Sequence, residues 1–312
     1  MNFGFIMDAI ARFSTPTFFM ITGYFVMKSD NIAVRIKHQI IKLTKYYIIY
    51  EIIYIIYEFA IAVSEMNFLT FKYNLLTDIK YILIAPTIGI HLWYVVNTIW
   101  ILMIIYVFNK FNKLKVLFIF SGILYLTGII ISNLSHQIFH QELPLYATRN
   151  FLFFGLFYVM IGIYISKTNI HNLKLNDNFI LFIAVVFCFL QVIERYLWKQ
   201  LYWSNFREYF LTTIFACIGI FVYVLRTTIN NKYIEKFSHY SMPIYFLHPL
   251  AIRILKLLCA NFLKFDIGII TNTIIGNFIF ILVVYIFSCV LYDLFKNLRN
   301  YISKINFYLK AY

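Results

Sequence analysis

The decapeptide SMPIYFLHPL, Ser241 to Leu250, sets a His-Pro pair inside an apolar run that continues to about Leu258. An ionisable group near the middle of a bilayer costs roughly 2 kcal/mol or more, so it usually lines a cavity or a reaction path. His248 is therefore a candidate for proton transfer. The same dipeptide also has a structural explanation, in which Pro249 frees a carbonyl that the imidazole N–H satisfies. Arg12, within ARFSTPTFFMITGYF, offers a similar choice. It either stabilises a developing oxyanion or snorkels to the interface, while Gly23 permits close helix contact. His91 and Trp93, in IGIHLWYVVNTIW, are expected at the outer interface, as an anchor or at a mouth where a polar acceptor enters. Glu51 and Glu58 lie seven apart and share a helical face. Glu51 falls in an apolar stretch and needs a partner, with Arg12 or a basic residue near the cytoplasmic end as candidates. Glu58 is expected near the outer surface, solvated.

Two further segments mix charge with aromatic rings. One carries His136, His140, Glu142, Pro144 and Arg149, and the other, expected as a loop, carries Glu194, Arg195, Trp198, Lys199, Tyr202, Trp203 and Arg207. Such residues can stack on and hydrogen-bond a sugar, and they are equally ordinary at a membrane surface. No metal is expected at His136 and His140, whose neighbours, Pro144 among them, suggest a loop. Cys188, Cys217, Cys259 and Cys289 form no C-x-x-C pair and read as packing residues. Walker, G-x-G-x-x-G, H-E-x-x-H and G-x-S-x-G signatures are absent, which excludes the common ATPase, dehydrogenase, zincin and α/β-hydrolase classes.

The elements that must position these groups follow from composition. With 62% hydrophobic, 21% aromatic and 13% charged residues and a mean hydropathy of +0.78, the chain has too little polar residue to cover a soluble core. The expected fold is an all-α polytopic bundle, one transmembrane domain over residues 1–312. Nine spans are predicted, at Ala9–Met27, Tyr46–Val63, Leu92–Phe108, Leu114–Ser132, Asn150–Ile165, Phe179–Ile193, Tyr209–Leu225, Ser241–Leu258 and Thr271–Tyr292. Ile79–Ile90, with Pro86 and Gly89, is expected as an interfacial or re-entrant piece. The formal charge of +14 is carried by alternate loops, as at Lys110, Lys113 and Lys115, then Lys167 and Lys174. The positive-inside rule accounts for it, putting these loops and the C-terminus in the cytoplasm, and no nucleic acid is implied. Counting back through nine spans puts the N-terminus outside. Heavy use of Phe, Tyr, Ile, Asn and Lys suggests a low-GC bacterial source.

PTFFMITGYF, the basic loop before KYYIIY, HLWYVV, RNFLFFGLFYVMIGIYI and the closing SMPIYFLHPL, taken in order, resemble the bacterial acyltransferase type 3 family along most of the chain. The resemblance implies a multi-pass enzyme of the cytoplasmic (inner) membrane that moves an acyl group, usually acetyl, from acetyl-CoA to a hydroxyl of a cell-surface carbohydrate. No bound cofactor is implied, and a homo-oligomer is allowed. Carried over, Arg12, His91 and His248 form the catalytic set. Arg35, Lys42 and Lys45 fall where the family grips the donor's phosphates, often with an R-x-x-R pair. Trp93, Arg149 and Glu51 are assigned to the acceptor. Family members normally begin with a further helix bearing an Arg and a His regarded as the catalytic base, and the chain is expected to start after it. His248 and His91 are then expected to support positioning. The alternatives to acyl transfer are a transporter and an inactive member of the family.

Overall fold

The long apolar runs are helical in the computed structural model, and no strand occurs among the residues it describes, which are 3–141, 143–202, 209–227, 231–261, 264, 268, 271 and 273–310. Glu142, Trp203 and Arg207 lie outside the described residues. The chain divides into two compact units, Met1–Thr228 and Ile229–Tyr312. The first holds α1 (Phe3–Ala11), α2 (Ser14–Met27), α3 (Ile32–Ser64), α4 (Phe68–Tyr81), α5 (Trp93–Lys110), α6 (Leu114–Asn133), the short α7 (Ser135–Phe139) and α8 (Leu145–Thr148), α9 (Leu156–Lys167), α10 (Asp177–Tyr202) and α11 (Leu211–Arg226). The second holds α12 (Lys232–Ser238), α13 (Ser241–Asn261) and α14 (Ile274–Lys310).

Among the described residues six helical segments are long and apolar enough to cross a bilayer, so the expected count of nine is not confirmed. They lie within Ile32–Ser64, Ile90–Lys110, Leu114–Asn133, Asp177–Leu201, Ser241–Asn261 and Ile274–Asn297, and make this a multi-pass membrane protein. The other three expected spans are helical but fall short. Phe151–Lys167 and Leu211–Arg226 are 10–17-residue helices. At 1.5 Å per residue, 17 residues reach only about 26 Å, against a hydrocarbon layer of about 30 Å. The expected span Ala9–Met27 is interrupted at Arg12 and Phe13, between α1 and α2. Pro16 explains the break. It has no N–H, and its ring clashes with the carbonyl four residues back, that of Arg12, so it is tolerated in the first turn of α2 but not inside one continuous helix. Conversely, Glu194 to Tyr202 is not a loop: α10 runs on through it, since nothing in that stretch breaks a helix.

The core of the first unit forms where α2 crosses α9. A Cβ on Gly23 would overlap the Val159 carbonyl oxygen, and one on Gly162 would overlap the Met20 carbonyl oxygen. Each glycine thus lets one backbone touch the other, as small residues do between membrane helices. Phe19, Met20, Tyr158 and Val159 are fully buried around the crossing. The Tyr125 and Tyr158 hydroxyls share a 2.6 Å hydrogen bond, and Tyr125 lies 3.2 Å from the Phe210 carbonyl.

Glu194 caps the neighbouring helix. Its carboxylate accepts from Leu211 N at 2.9 Å, Thr212 N at 3.0 Å and Thr212 Oγ1 at 2.5 Å, at the N-terminus of α11. Those N–H groups have no partner within their own helix, and negative charge there is favourable. Glu194→Ala is expected to cost about 1–3 kcal/mol, as for a lost hydrogen bond to a charged group. Glu194→Gln, which keeps an acceptor, should lose less. Thermal unfolding of the detergent-solubilised protein checks the order, and equal losses would discount the cap.

In the second unit α13 packs along α14, and Tyr240 donates to Asp293 at 3.2 Å. Pro249 lies inside α13 and leaves the Tyr245 carbonyl without its usual N–H. His248 Nδ1 lies 2.9 Å from that oxygen and 3.2 Å from the Ile244 oxygen, so the Nδ1–H tautomer donates there. The structural role expected of the His-Pro pair is present.

Candidate functional site

The break between α1 and α2 places Arg12 one helical turn past Asp8. Arg12 Nη2 lies 3.0 and 3.3 Å from the two Asp8 carboxylate oxygens. Arg195, reaching from α10, pairs with Asp8 Oδ2 at 2.5 Å, donates to the Phe5 carbonyl at 3.1 Å and lies 4.3 Å over the Phe5 ring. Buried Gln191 donates to the Ala9 carbonyl at 2.6 Å. Helix α10 therefore staples the interrupted segment from the side, and one carboxylate sits between two guanidiniums.

A second group of residues arrives from the chain that follows α8. Arg149 stacks on Trp93, its guanidinium carbon 4.5 Å from the ring centroid, a cation–π contact. Asn150 fixes what comes next: its Oδ1 accepts from Leu152 N and Phe153 N, both at 3.0 Å, and its Nδ2 donates to the Ala147 carbonyl at 2.9 Å. Residues Phe151–Gly155 then form one π turn before α9, the kind of local widening common at functional sites. Phe154 is set against Trp93 and Phe19 by this turn.

The two groups enclose a cavity of about 260 Å³ lined by Asp8, Arg12, Thr15, Trp93, Arg149 and Phe154. The structure thus brings together three residues singled out in the sequence, Arg12, Trp93 and Arg149. Its walls carry two guanidiniums, one carboxylate that is shared with Arg195, a hydroxyl and an aromatic face. Such a lining favours an anionic or oxyanionic group and a stacked ring.

Trp93 is held by a turn that is itself clamped. Asp78, fully buried on α4, accepts through Oδ1 from Thr87 N at 2.5 Å, Thr87 Oγ1 at 3.1 Å and Ile88 N at 2.9 Å. Glu51, buried on α3, accepts from Gly89 N at 3.3 Å and meets the Asp78 carboxyl. Tyr47 donates to the Ile82 carbonyl at 2.6 Å, and Trp100 to the Leu83 carbonyl at 2.8 Å. The segment expected as re-entrant is thus an irregular turn whose backbone is satisfied by α3, α4 and α5, as apolar surroundings require. Glu51 Oε1 accepts from Gly89 N, and its carboxyl faces that of Asp78 rather than Arg12 or a cytoplasmic cation as the sequence suggested. It supports the turn and does not line the cavity.

His91 belongs to the same turn, two residues before Trp93, with its ring edge-on to Tyr54 at 5.0 Å. It is not among the cavity-lining residues. Arg35, Lys42 and Lys45 are exposed along the N-terminal part of α3, and Lys42 lies 5.9 Å over Tyr46. His248 lies in the second unit, where its Nδ1 is engaged as described. Sequence reasoning missed Asp8 and Asp78, and placed Arg195 in a loop rather than against Asp8. Asp8 carried a signal, its four-residue spacing from Arg12. Arg195 and Asp78 carried little, since their partners lie far away in the chain or are backbone amides.

Neither a curated protein nor a solved structure matches the chain. A family model described as an acyltransferase domain matches residues 1–293. That match runs from the interrupted first segment through the cavity-lining residues and α13, and with it this multi-pass helical membrane protein belongs to the acyltransferase type 3 family.

Proposed function

We propose that the protein transfers an acyl group, acetyl from acetyl-CoA, to a hydroxyl of a cell-surface carbohydrate in the bacterial envelope. The observation that supports this reading is the polar cavity where Arg12, Arg149 and Trp93 meet. The acceptor hydroxyl attacks the thioester carbonyl as its proton passes to the histidine base that family members carry on a further helix, and the thiolate of coenzyme A leaves. Arg12 and Arg149 stabilise the carbonyl oxygen as it becomes an oxyanion, and the half-buried Trp93 indole, with Arg149 over its ring, packs against a sugar ring. His91 and His248 are assigned to positioning. About 260 Å³ is below the range of about 300–1,000 Å³ usual for drug-sized ligands, which suits one sugar unit or an acetyl group rather than a whole carrier. The stripe of Arg35, Lys42 and Lys45 takes the donor's phosphates. Lysine keeps the charge there but lacks the bidentate fork of arginine, so this grip is electrostatic and salt-sensitive.

The test is expression in a host whose surface polysaccharide lacks O-acetyl groups, followed by mass spectrometry of that polysaccharide. Wild-type protein should add acetyl, and Arg12→Ala should lower the rate by about 10²–10³-fold, as for a lost oxyanion donor. Arg149→Lys, which keeps charge but loses the planar stack, should also fall. Acetylation unchanged in both variants would remove them from the site. Solute uptake into vesicles without acyl transfer would move the assignment to transport.

A further inference from the structure

Helices α6 and α9 run antiparallel, and between them lies a groove of about 400 Å³ that the acyl-transfer reading does not use. Its floor is apolar, built from Phe118, Ile119, Met160 and Ile163. Phe118 stacks flat on Tyr164, with ring centroids 5.5 Å apart and planes 8° apart. Lys115, in the first turn of α6, and Lys167, the last residue of α9, both line the groove, so its two cations stand at one end. None of its lining residues is acidic, and neither lysine is in an ion pair among the described residues. The loops carrying both are those the positive-inside rule assigns to the cytoplasm, the side where anionic lipids concentrate. An apolar trough with cations at its headgroup end is complementary to one class of molecule.

We propose that this groove holds a phospholipid with an anionic headgroup, one acyl chain lying against Phe118 and Ile119 and the phosphate between Lys115 and Lys167. The inference does not depend on acyl transfer and is read without any activity assay.

The experiment is native mass spectrometry of the full chain extracted from mixed micelles of phosphatidylglycerol and phosphatidylcholine. Wild-type protein should retain phosphatidylglycerol selectively. Lys115→Gln/Lys167→Gln should retain it about 10- to 30-fold less, the loss expected for two headgroup contacts, with phosphatidylcholine unchanged. Lys115→Arg/Lys167→Arg should behave as wild type. Ile119→Trp, which fills the trough and leaves both lysines in place, should also release the lipid, so the proposal stays open to test if the double glutamine variant fails to fold. Equal retention of the two lipids by wild type, or undiminished phosphatidylglycerol in the glutamine and tryptophan variants, would overturn it. Displacement of the lipid by acetyl-CoA would also overturn it, by giving the groove to the donor.

Discussion

Gly162→Leu is expected to leave no monodisperse protein after detergent extraction. The Cβ alone would overlap the carbonyl oxygen, carbonyl carbon and Cα of Met20. None of these is the end of a flexible side chain, so the whole of α2 would have to retreat from α9. That retreat separates Phe19 and Met20, both fully buried, from Tyr158 and Val159, and withdraws the helix that begins beside Arg12 and Thr15. A cost of at least about 3 kcal/mol follows from overpacking a site that cannot yield. Gly23→Leu should behave alike, since its Cβ would meet the Val159 backbone in the reciprocal contact. Gly122 supplies the contrast. A Cβ there would lie 3.6 Å from the Phe157 ring, an ordinary contact, so Gly122→Ala should be neutral or gain up to about 1 kcal/mol from helix propensity. The measurement is extraction yield, elution profile and midpoint of thermal unfolding for all three. Survival of Gly162→Leu with a wild-type midpoint would mean that the helices do not touch there.

The crossing was partly legible in the sequence because a glycine in an apolar run has few other purposes, and Gly23 was read as a close-contact residue. What sequence could not supply was the partner. Gly162 lies 139 positions later, in an equally apolar run. The same asymmetry holds at the site. Arg12, Trp93 and Arg149 were singled out because charge and indole are rare in such company, yet nothing in their spacing says that they enclose one cavity. His248 shows the converse. Its His-Pro dipeptide signalled both a reaction path and a carbonyl freed by proline, and the Nδ1 contact to Tyr245 accounts for the freed carbonyl alone. The count of nine spans is not confirmed among the described residues, for a third reason. Hydropathy reports what an apolar layer tolerates, whereas Pro16 interrupts the helix at Arg12 through a steric clash that hydropathy does not register. Asp78 was passed over because its partners are backbone amides, which every residue carries.

That last residue supports the second large effect. Asp78→Ala is expected to destabilise the protein by at least about 3 kcal/mol, because three buried donors lose their acceptor at about 1–3 kcal/mol each, and to abolish any activity that depends on Trp93. Alanine would leave Thr87 N, Thr87 Oγ1 and Ile88 N without their shared acceptor beneath a turn that is already irregular. Asp78→Asn should differ sharply. Its amide oxygen can keep all three bonds, and its NH₂ can donate to Glu51, whose Oε2 is buried with no donor among the described residues. Two facing carboxyls can hydrogen-bond only while one of them carries a proton; an amide beside a carboxylate has no such requirement. The asparagine variant should therefore stay within about 1 kcal/mol of wild type and keep the Trp93 and Arg149 stack. Thermal unfolding gives the stability order, and quenching or shift of tryptophan fluorescence reports the turn, since Trp100 is tied to Leu83 and Trp93 follows it. If asparagine proved as damaging as alanine, the negative charge of Asp78 rather than its acceptor geometry would be what holds the turn. The clamp would then act on the cavity through its field and not through the backbone of Thr87 to Gly89.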